Sequence, residues 1–232
     1  MRTALQWSLR LVLFAILAVF LLQLWFFAHI LAWSKINPDH TSFMQIRLGE
    51  IQQKTPNANL KQVWVPYDKI SLNLKRAVVA AEDSGFVSHP GYEMEAIELA
   101  LKRNARRGRV THGGSTITQQ LAKNLFLTGE RSYVRKAQEL VITLMIEAVW
   151  DKRRIFEVYL NVVEWGNGVF GAEAAAQHYY GTSANNLSSF QAATLAGMLP
   201  APRYFDKNRN SRFLARKVGT IQARMYQVAV PR

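Results

Sequence analysis

A continuous apolar stretch near the N-terminus constrains this chain more than any other feature. Residues 11–33 read LVLFAILAVFLLQLWFFAHILAW, and their only strongly polar side chains are those of Gln23 and His29. At a rise of about 1.5 Å per residue, a helix of this length spans the roughly 30 Å of a bilayer core. The stretch is too long for a signal peptide, and Ala28 and Ala32 are too far apart for a cleavage site. We therefore expect a retained transmembrane helix.

Charges and aromatic residues at the ends of this stretch predict its orientation. Arg2 and Arg10 precede the span, and Trp25 and Trp33 lie where interfacial aromatic residues are enriched. Because positively charged flanks stay on the cytoplasmic side, we expect residues 1–10 in the cytoplasm. Everything after the span is then expected on the outer face.

The charge balance of the chain indicates an anionic partner. The 232 residues include 29 Lys and Arg against 16 Asp and Glu, which gives a formal net charge of +13. Such a charge suits nucleic acid, a phospholipid surface or a phosphorylated substrate. The chain has no cysteine, so disulfides, thiolate nucleophiles and cysteine zinc sites are excluded.

Apolar spacing after the span is mostly helical. We interpret residues 34–60, which are polar and contain prolines, as a linker and membrane-proximal segment. Residues 61–232 are interpreted as one domain, in which only QVWVP and VTHGG allow short extended pieces. The predicted fold class is mainly α.

Two glutamates lie at the boundaries of apolar segments. Glu82 follows AVVAA and precedes Asp83, and Glu139 opens LVITLMIEAVW. An ionised carboxylate is costly to bury without a partner, so this position indicates either a helix end facing solvent or a functional site. If the segment before Glu139 is helical, Arg131 and Arg135 share a face with it.

A glycine-containing loop leads into a helix at HGGSTITQQLAKN. Thr116 and Gln119 have the spacing of a capping box, and a helix start of this kind binds anions. Gln120 and Lys123 follow on the same helix. The alternative is a capped amphipathic helix with a solvated side, and this stretch alone does not decide between the two.

The order of these motifs resembles that of the peptidoglycan glycosyltransferases, the lysozyme-like enzymes that polymerise lipid II. The resemblance covers residues 67–205 and rests on four segments: AEDSGFVSHPG, GGSTITQQLAKN, RKAQE and IFEVYLNVVEWGNGVFGAEAAAQHYYG. It implies a lysozyme-like helical domain with a larger globular lobe and a smaller jaw lobe. The S-x-x-K and K-T-G motifs of a penicillin-binding domain are absent from the sequence, so the chain resembles the monofunctional members.

The resemblance also implies roles for individual residues. Glu82 falls on the general base of the family, and Glu139 falls on its second glutamate. The implied ligands of the sugars and the pyrophosphate are Ser115, Thr116, Gln120, Lys123, Arg131 and Arg135. The implied supporting residues are Asp83, Phe86, His89 and Asn161. His89 is expected to shape its loop and not to act as a second base, and no set of metal ligands is predicted.

The reaction implied by the resemblance is polymerisation of lipid II, with inversion to β-1,4 links between MurNAc and GlcNAc and release of undecaprenyl pyrophosphate. The expected partners are lipid II, the growing lipid-linked strand and the phospholipid bilayer, with cell-wall synthesis proteins as candidates and no nucleic acid. No cofactor is required, although a divalent Mg or Mn ion could assist the pyrophosphate. The expected location is the bacterial inner membrane, with one span and a periplasmic catalytic domain.

Two other function classes stay open at this stage. A lysozyme-like enzyme that cleaves peptidoglycan also needs a glutamate beside a sugar groove, but it has no use for Lys123, Arg131 and Arg135. A non-enzymatic, membrane-tethered binder of an anionic polymer explains the net charge but not two glutamates at core edges. The basic run at residues 102–109 is either a solvated loop or a contact for membrane or substrate.

Overall fold

The computed structural model describes residues 2–94, 114–130 and 132–232 and separates the chain into two compact units. The first unit, Met1–Pro38, contains the long helix α1, Arg2–Trp33. Within α1, Gln6–Trp33 is long enough to cross a membrane and has a mean hydropathy of 2.7. Length and composition therefore agree with a membrane anchor, and the helix begins before the predicted span.

The second unit, Asp39–Arg232, is mostly helical, which confirms the predicted mainly α class. Over the described residues its helices are α2 (Ser42–Gln52), α3 (Leu72–Glu82), α4 (Ile117–Phe126), α5 (Tyr133–Val149), α6 (Lys152–Val162), α7 (Ala172–Tyr180), α8 (Ser189–Met198), α9 (Pro202–Lys207) and α10 (Arg212–Arg224). Short 3₁₀ turns lie at Tyr67–Lys69 and Ala184–Asn186. The division of this unit into two lobes stays a prediction.

Side-chain caps set where most of these helices begin. The capping box predicted at α4 is present, with Thr116 accepting from the Gln119 backbone and Gln119 accepting from the Thr116 backbone. Single hydroxyl or carboxylate caps begin several other helices, namely Thr41, Ser71, Ser132, Asp151 and Ser211. Each cap contributes about 1 kcal/mol. These residues therefore stabilise the first turns of the helices on which the site residues lie.

Helix α2 lies inside the range 34–60 that the sequence led us to interpret as a linker. Thr41 caps it and Met44 is buried, and the helix packs against α4. A short helix needs only one buried face to be stable, so most of its residues can be polar. The composition of this segment therefore resembles that of a linker. The described structure therefore differs from the interpretation here, while the boundary at residue 61 stays a prediction.

A small sheet interrupts the helices. Its strands are β1 (Lys61–Gln62), β2 (Glu164–Gly166) and β3 (Val169–Phe170), in the order β1-β3-β2. β1 runs parallel to β3, with Lys61 opposite Val169, and β2 runs antiparallel to β3. Helix α6 ends at Val162, and the Asn167-Gly168 turn, with φ of +73° at Gly168, closes the hairpin of β2 and β3. VTHGG lies almost entirely outside the described residues.

Two helical clusters hold the site between them. α3 packs against α8 and α10, and α4 packs against α2, α5 and α6. Fully buried side chains fill these contacts, among them Leu74, Phe86, Leu121, Phe156 and Tyr159. The C-terminal end of α3 and the N-terminal end of α4 are thereby brought together.

Candidate active site

Glu82 is the last residue of α3, and its two carboxylate oxygens have different surroundings. Oε2 accepts a hydrogen bond from Gln120 Nε2 at 3.0 Å. Oε1 is buried and has no hydrogen-bond partner among the described residues, and Lys217 Nζ lies 4.0 Å from it. Burial raises the pKa of Glu82, while the bond from Gln120 and the charge of Lys217 oppose this shift. Glu82 Oε1 is therefore available, among the described residues, to accept a proton.

Gln120 is held in one orientation by Tyr159 of α6. The hydroxyl of Tyr159 donates to Gln120 Oε1 at 3.0 Å, so the amide nitrogen must point to Glu82. Burial keeps the pKa of Tyr159 well above its ordinary value, which means that the hydroxyl stays a donor. No sequence signal marks Tyr159, because its spacing in EVYLNVV is that of a core position.

Asp83 joins the end of α3 to the start of α4. Its Oδ1 accepts from His89 Nε2 at 2.8 Å, and its Oδ2 accepts from the backbone N–H of Ile117 at 3.0 Å. The anion that the sequence predicts at this helix start is thus supplied by the protein itself. The contribution of this helix start to pyrophosphate binding stays a prediction, and the Ile117 N–H is already engaged by Asp83.

His89 shapes the loop after α3, as the sequence suggested. The Gly91 N–H donates to His89 Nδ1 at 3.0 Å, so the ring proton lies on Nε2 and is donated to Asp83. Gly91 has φ of +86°, and its carbonyl accepts from the Thr116 hydroxyl at 2.7 Å. Since the Thr116 hydroxyl also accepts from Gln119 N, both of its roles are structural.

The cations lie on α4 and α5 around Glu139. Glu139 is 3% exposed and accepts from Arg135 at 2.6 Å and from Lys136, so both of its oxygens are engaged. Lys136 also donates to Ser115 Oγ at 2.9 Å. Burial lowers the pKa of Lys123, and the carboxylate of Glu139 opposes that shift. The arrangement makes Glu139 an orienting group for cations.

A cavity of about 200 Å³ opens at Glu82. Its lining among the described residues is formed by Ala80, Ala81, Glu82, Asp83, Ser84, Glu93, Gly114, Ser115 and Thr116. Glu139 is not part of this lining among the described residues. Glu139 is connected to the cavity wall through Lys136 and Ser115.

The supporting residues Phe86 and Asn161 serve the framework. Phe86 is fully buried, 5.3 Å from the ring of Phe156, and Lys152 lies over it at 4.8 Å. Asn161 Oδ1 accepts from Val65 N at 2.9 Å and its amide donates to Val65 O at 3.0 Å, which fixes the chain before the Tyr67–Lys69 turn. Asn161 thus stabilises a remote segment, and no contact with Glu82 is present among its hydrogen bonds.

Two basic residues of the site were not predicted from the sequence, and some predicted residues lie outside the described ranges. Arg131 and the basic run at 102–109 lie outside the described residues. Lys136 was quoted in a motif but not predicted as a ligand, and Lys217 was missed because α10 looks like an ordinary basic amphipathic helix. Lys217 Nζ lies 4.0 Å from Glu82 Oε1, which places this lysine in the site; burial lowers the pKa of Lys217, and the charge of Glu82 opposes this.

Asp83, His89 and Glu93 are close enough to suggest a metal centre, since their ligand atoms lie within 4.8 Å of one another. The hydrogen bonds argue against it. His89 accepts at Nδ1 and donates from Nε2, so neither ring nitrogen has a free lone pair. Asp83 is likewise engaged at both oxygens. These residues do not fit a resident metal ion.

Comparison with known proteins gives one consistent result. The family profile of the transglycosylases matches residues 48–226. The biosynthetic peptidoglycan transglycosylase of Dechloromonas aromatica is 58% identical over 224 residues, which are 96% of this chain and 97% of that protein. The protein of the same name from Herminiimonas arsenicoxydans is 59% identical over 221 residues, 95% and 96% of the two chains. That from Thiobacillus denitrificans is 56% identical over 232 residues, 100% of both.

Proposed function

This chain belongs to the transglycosylase family and is a peptidoglycan glycosyltransferase, and we propose that its substrate is lipid II and its leaving group undecaprenyl pyrophosphate. The proposal rests on the surroundings of the Glu82 carboxyl group. Glu82 lines a cavity and has a raised pKa and one buried oxygen without a partner among the described residues. Such a carboxylate is suited to accept a proton from a sugar hydroxyl.

In the proposed reaction, Glu82 takes the proton from the 4-hydroxyl of the GlcNAc in an incoming lipid II. That oxygen forms a bond to the anomeric carbon of the terminal MurNAc, and the bond from this carbon to the pyrophosphate oxygen breaks with its electron pair. The configuration inverts to a β-1,4 link. The proton on Glu82 then returns to solvent, which restores the base. Gln120 keeps the carboxylate in position through Oε2.

The cations of α4 and α5 suit the leaving group. Lys123, Arg135 and Lys136 lie around the single carboxylate of Glu139, so this cluster has more positive than negative charge. Burial also lowers the pKa of Lys123, a cost that an incoming dianion would offset. Charge-assisted bonds to a departing pyrophosphate strengthen as its charge develops and thereby lower the barrier. Arg131 is proposed for the same role.

The cation cluster distinguishes this proposal from glycan cleavage. A hydrolase of neutral glycosidic bonds develops no pyrophosphate charge, so buried lysine and arginine side chains beside its base would only destabilise the fold. Because the described residues Asp83, His89 and Glu93 do not fit a resident metal, a divalent ion that assists the reaction is proposed to arrive with the pyrophosphate itself. No step depends on it.

The long apolar helix α1 supports a location of this chemistry at the membrane. We propose a single span in the bacterial inner membrane with the catalytic unit on the periplasmic face, where the growing lipid-linked strand is also confined. The net charge of +13 attracts the chain to anionic lipid headgroups. Cell-wall synthesis proteins are proposed as further partners at the same surface.

The direct test uses the purified full chain in detergent with lipid II. The proposal predicts a ladder of glycan polymer on a gel and the stoichiometric appearance of undecaprenyl pyrophosphate. As a matched reaction, the same preparation is incubated with preformed glycan strands. Shortening of those strands without polymer from lipid II would establish the cleaving alternative, and neither reaction together with retention of the strands would establish a binding protein.

A further inference from the structure

Helix α2 brings an aromatic ring to the lysine that the proposed mechanism assigns to the leaving group. Phe43 and Arg47 are one helical turn apart on α2. The ammonium nitrogen of Lys123 lies 5.9 Å from the centroid of the Phe43 ring, and the guanidinium carbon of Arg47 lies 4.6 Å from the same centroid. Both distances fall within the roughly 6 Å at which an aromatic face attracts a cation.

The Phe43 ring and the Arg47 guanidinium are held in place from their other sides. Arg47 donates from Nε to Glu164 Oε2 at 3.3 Å and from an amino group to Glu50 Oε2 at 2.6 Å. The ring of Phe43 also meets Phe170 edge-on, with 6.5 Å between centroids. The aromatic platform is therefore a fixed part of the protein.

Lys123 itself has few other attachments. Among the residues that the structure describes, its ammonium group makes no hydrogen bond and no ion pair. The charged groups that act on it include Glu139, Arg135, Lys136 and Arg47. Glu139 attracts it, as does Glu82, whose pKa the charge of Lys123 lowers, and the three cations repel it. The Phe43 ring is thus the one direct contact, among the described residues, that favours the charged ammonium at its place.

We propose that Phe43 is a positioning residue, whose ring holds the ammonium of Lys123 at the leaving group before the pyrophosphate arrives. Arg47, stacked on the same ring and tied to Glu164 and Glu50, keeps the ring oriented. This inference rests on the proposed function, since it takes the role of Lys123 from there. Because the ring acts through a cation that is needed as leaving-group charge develops, its loss lowers kcat and leaves KM unchanged.

The test compares a variant of Phe43 that removes the aromatic ring but stays apolar with a variant that keeps the ring. Phe43→Leu is expected to lower kcat roughly tenfold, the size of one partly desolvated cation–π contact, with unchanged KM and melting temperature. Phe43→Tyr, which keeps the ring, is expected to restore most of kcat. Phe190→Leu is the matched control, because Phe190 is exposed and makes no ring contact among the described residues. Equal kcat in the Leu and Tyr variants would overturn the inference, as would a loss that follows the melting temperature.

A double-mutant cycle then asks whether Phe43 acts through Lys123. In a Lys123→Ala background, Phe43→Leu is expected to cost less than about twofold more, because the cation is already gone. A further tenfold loss would contradict the inference. If Lys123→Ala keeps wild-type turnover, the proposed pyrophosphate site fails, whereas an impaired Lys123→Ala beside an unimpaired Phe43→Leu rejects the role of Phe43 alone. Should Lys123→Ala fall below detection, the contrast between Leu and Tyr decides.

Discussion

Glu82 shows how a single residue combines burial with access. The apolar helix α3 ends on it, so its carboxyl group is mostly removed from water, and burial raises its pKa. One hydrogen bond, from Gln120, fixes the group without satisfying it. The neighbouring Asp83 has the opposite surroundings, because donors reach both of its oxygens. Of two consecutive carboxylates, one is therefore available for proton transfer and the other is a structural clamp.

The raised pKa of Glu82 predicts a pH-dependent effect on stability. A carboxyl group whose pKa is higher in the folded state stabilises the fold below its unfolded pKa, and this contribution is lost as pH rises through the folded pKa. Glu82→Gln should therefore have a higher melting temperature than the wild type at pH 7.5, and the difference should disappear near pH 4. Thermal unfolding across this range checks it, with the exposed Glu130→Gln as control. A difference that is constant with pH would contradict the assignment.

Replacing Lys123 is predicted to lower the rate more than the removal of one positive charge from the protein surface does. Lys123→Ala removes a charge-assisted bond that strengthens as the pyrophosphate leaves, and we expect a loss of about a hundredfold in kcat, on the order of 3 kcal/mol. Lys54→Ala removes the same charge from an exposed position and should cost little. The polymerisation rates of the two variants in detergent check this. Similar losses in both would show attraction by net charge and no specific site.

At the scale of elements, the site is a junction between the end of α3 and the start of α4. Asp83 accepts from His89 on the loop side and from the first backbone N–H of α4 on the helix side. A buried carboxylate at a helix N-terminus is stabilised by the helix dipole and by its hydrogen bonds. Asp83 thus links both sides of the junction and keeps Glu82 and Gln120 within hydrogen-bond distance.

Asp83→Asn is predicted to weaken this junction. The amide replaces one accepting oxygen by a donor that faces either His89 Nε2–H or the Ile117 N–H, so one buried donor loses its partner. We expect a destabilisation of about 1–3 kcal/mol and a clearly lower melting temperature, with turnover of the folded fraction reduced far less than in Glu82→Gln. Asp39→Asn, at an exposed position, is the control. An unchanged melting temperature with lost turnover would instead make Asp83 a catalytic group.

The sequence predicted elements well where a local pattern decides the structure. The capping box at Thr116 and the mostly helical spacing after the span depend on near neighbours, and these predictions were confirmed. Helix α2 and the β2–β3 hairpin were missed, because α2 is stabilised by packing on α4, and the strands are fixed by pairing with each other and with β1. The bond from Tyr159 to Gln120 and the approach of Lys217 to Glu82 join residues far apart in the chain, which no local pattern can show.

At the scale of the whole molecule, an apolar anchor and a basic catalytic unit occur in one chain. In the proposed function, the anchor confines the enzyme to the surface that holds the lipid-linked substrate, so the membrane sets the effective concentration of that substrate. The positive charge adds attraction to anionic headgroups and to pyrophosphate. Both properties would be of little use to an enzyme acting on a soluble glycan.

The proposed orientation can be measured by labelling, because the chain has no cysteine. Single variants Thr3→Cys and Thr55→Cys place one thiol on each side of the predicted span. A maleimide that does not cross membranes should label Thr55→Cys in spheroplasts and should label Thr3→Cys only after lysis, since the arginines at the N-terminus stay in the cytoplasm. The reverse pattern would contradict the orientation, and labelling of both in spheroplasts would contradict a single retained span.

The most direct test of the central claim, that Glu82 is the base for glycan polymerisation, uses one preparation of full-length Glu82→Gln. Polymer yield from lipid II, lipid II binding and thermal unfolding are measured together, with Glu130→Gln treated in parallel. Positioned proton transfer contributes about 10²–10⁴ in rate, so we predict no detectable polymer from a variant that binds lipid II normally and is folded. Polymer formed by this folded variant within tenfold of the wild-type rate would contradict the claim.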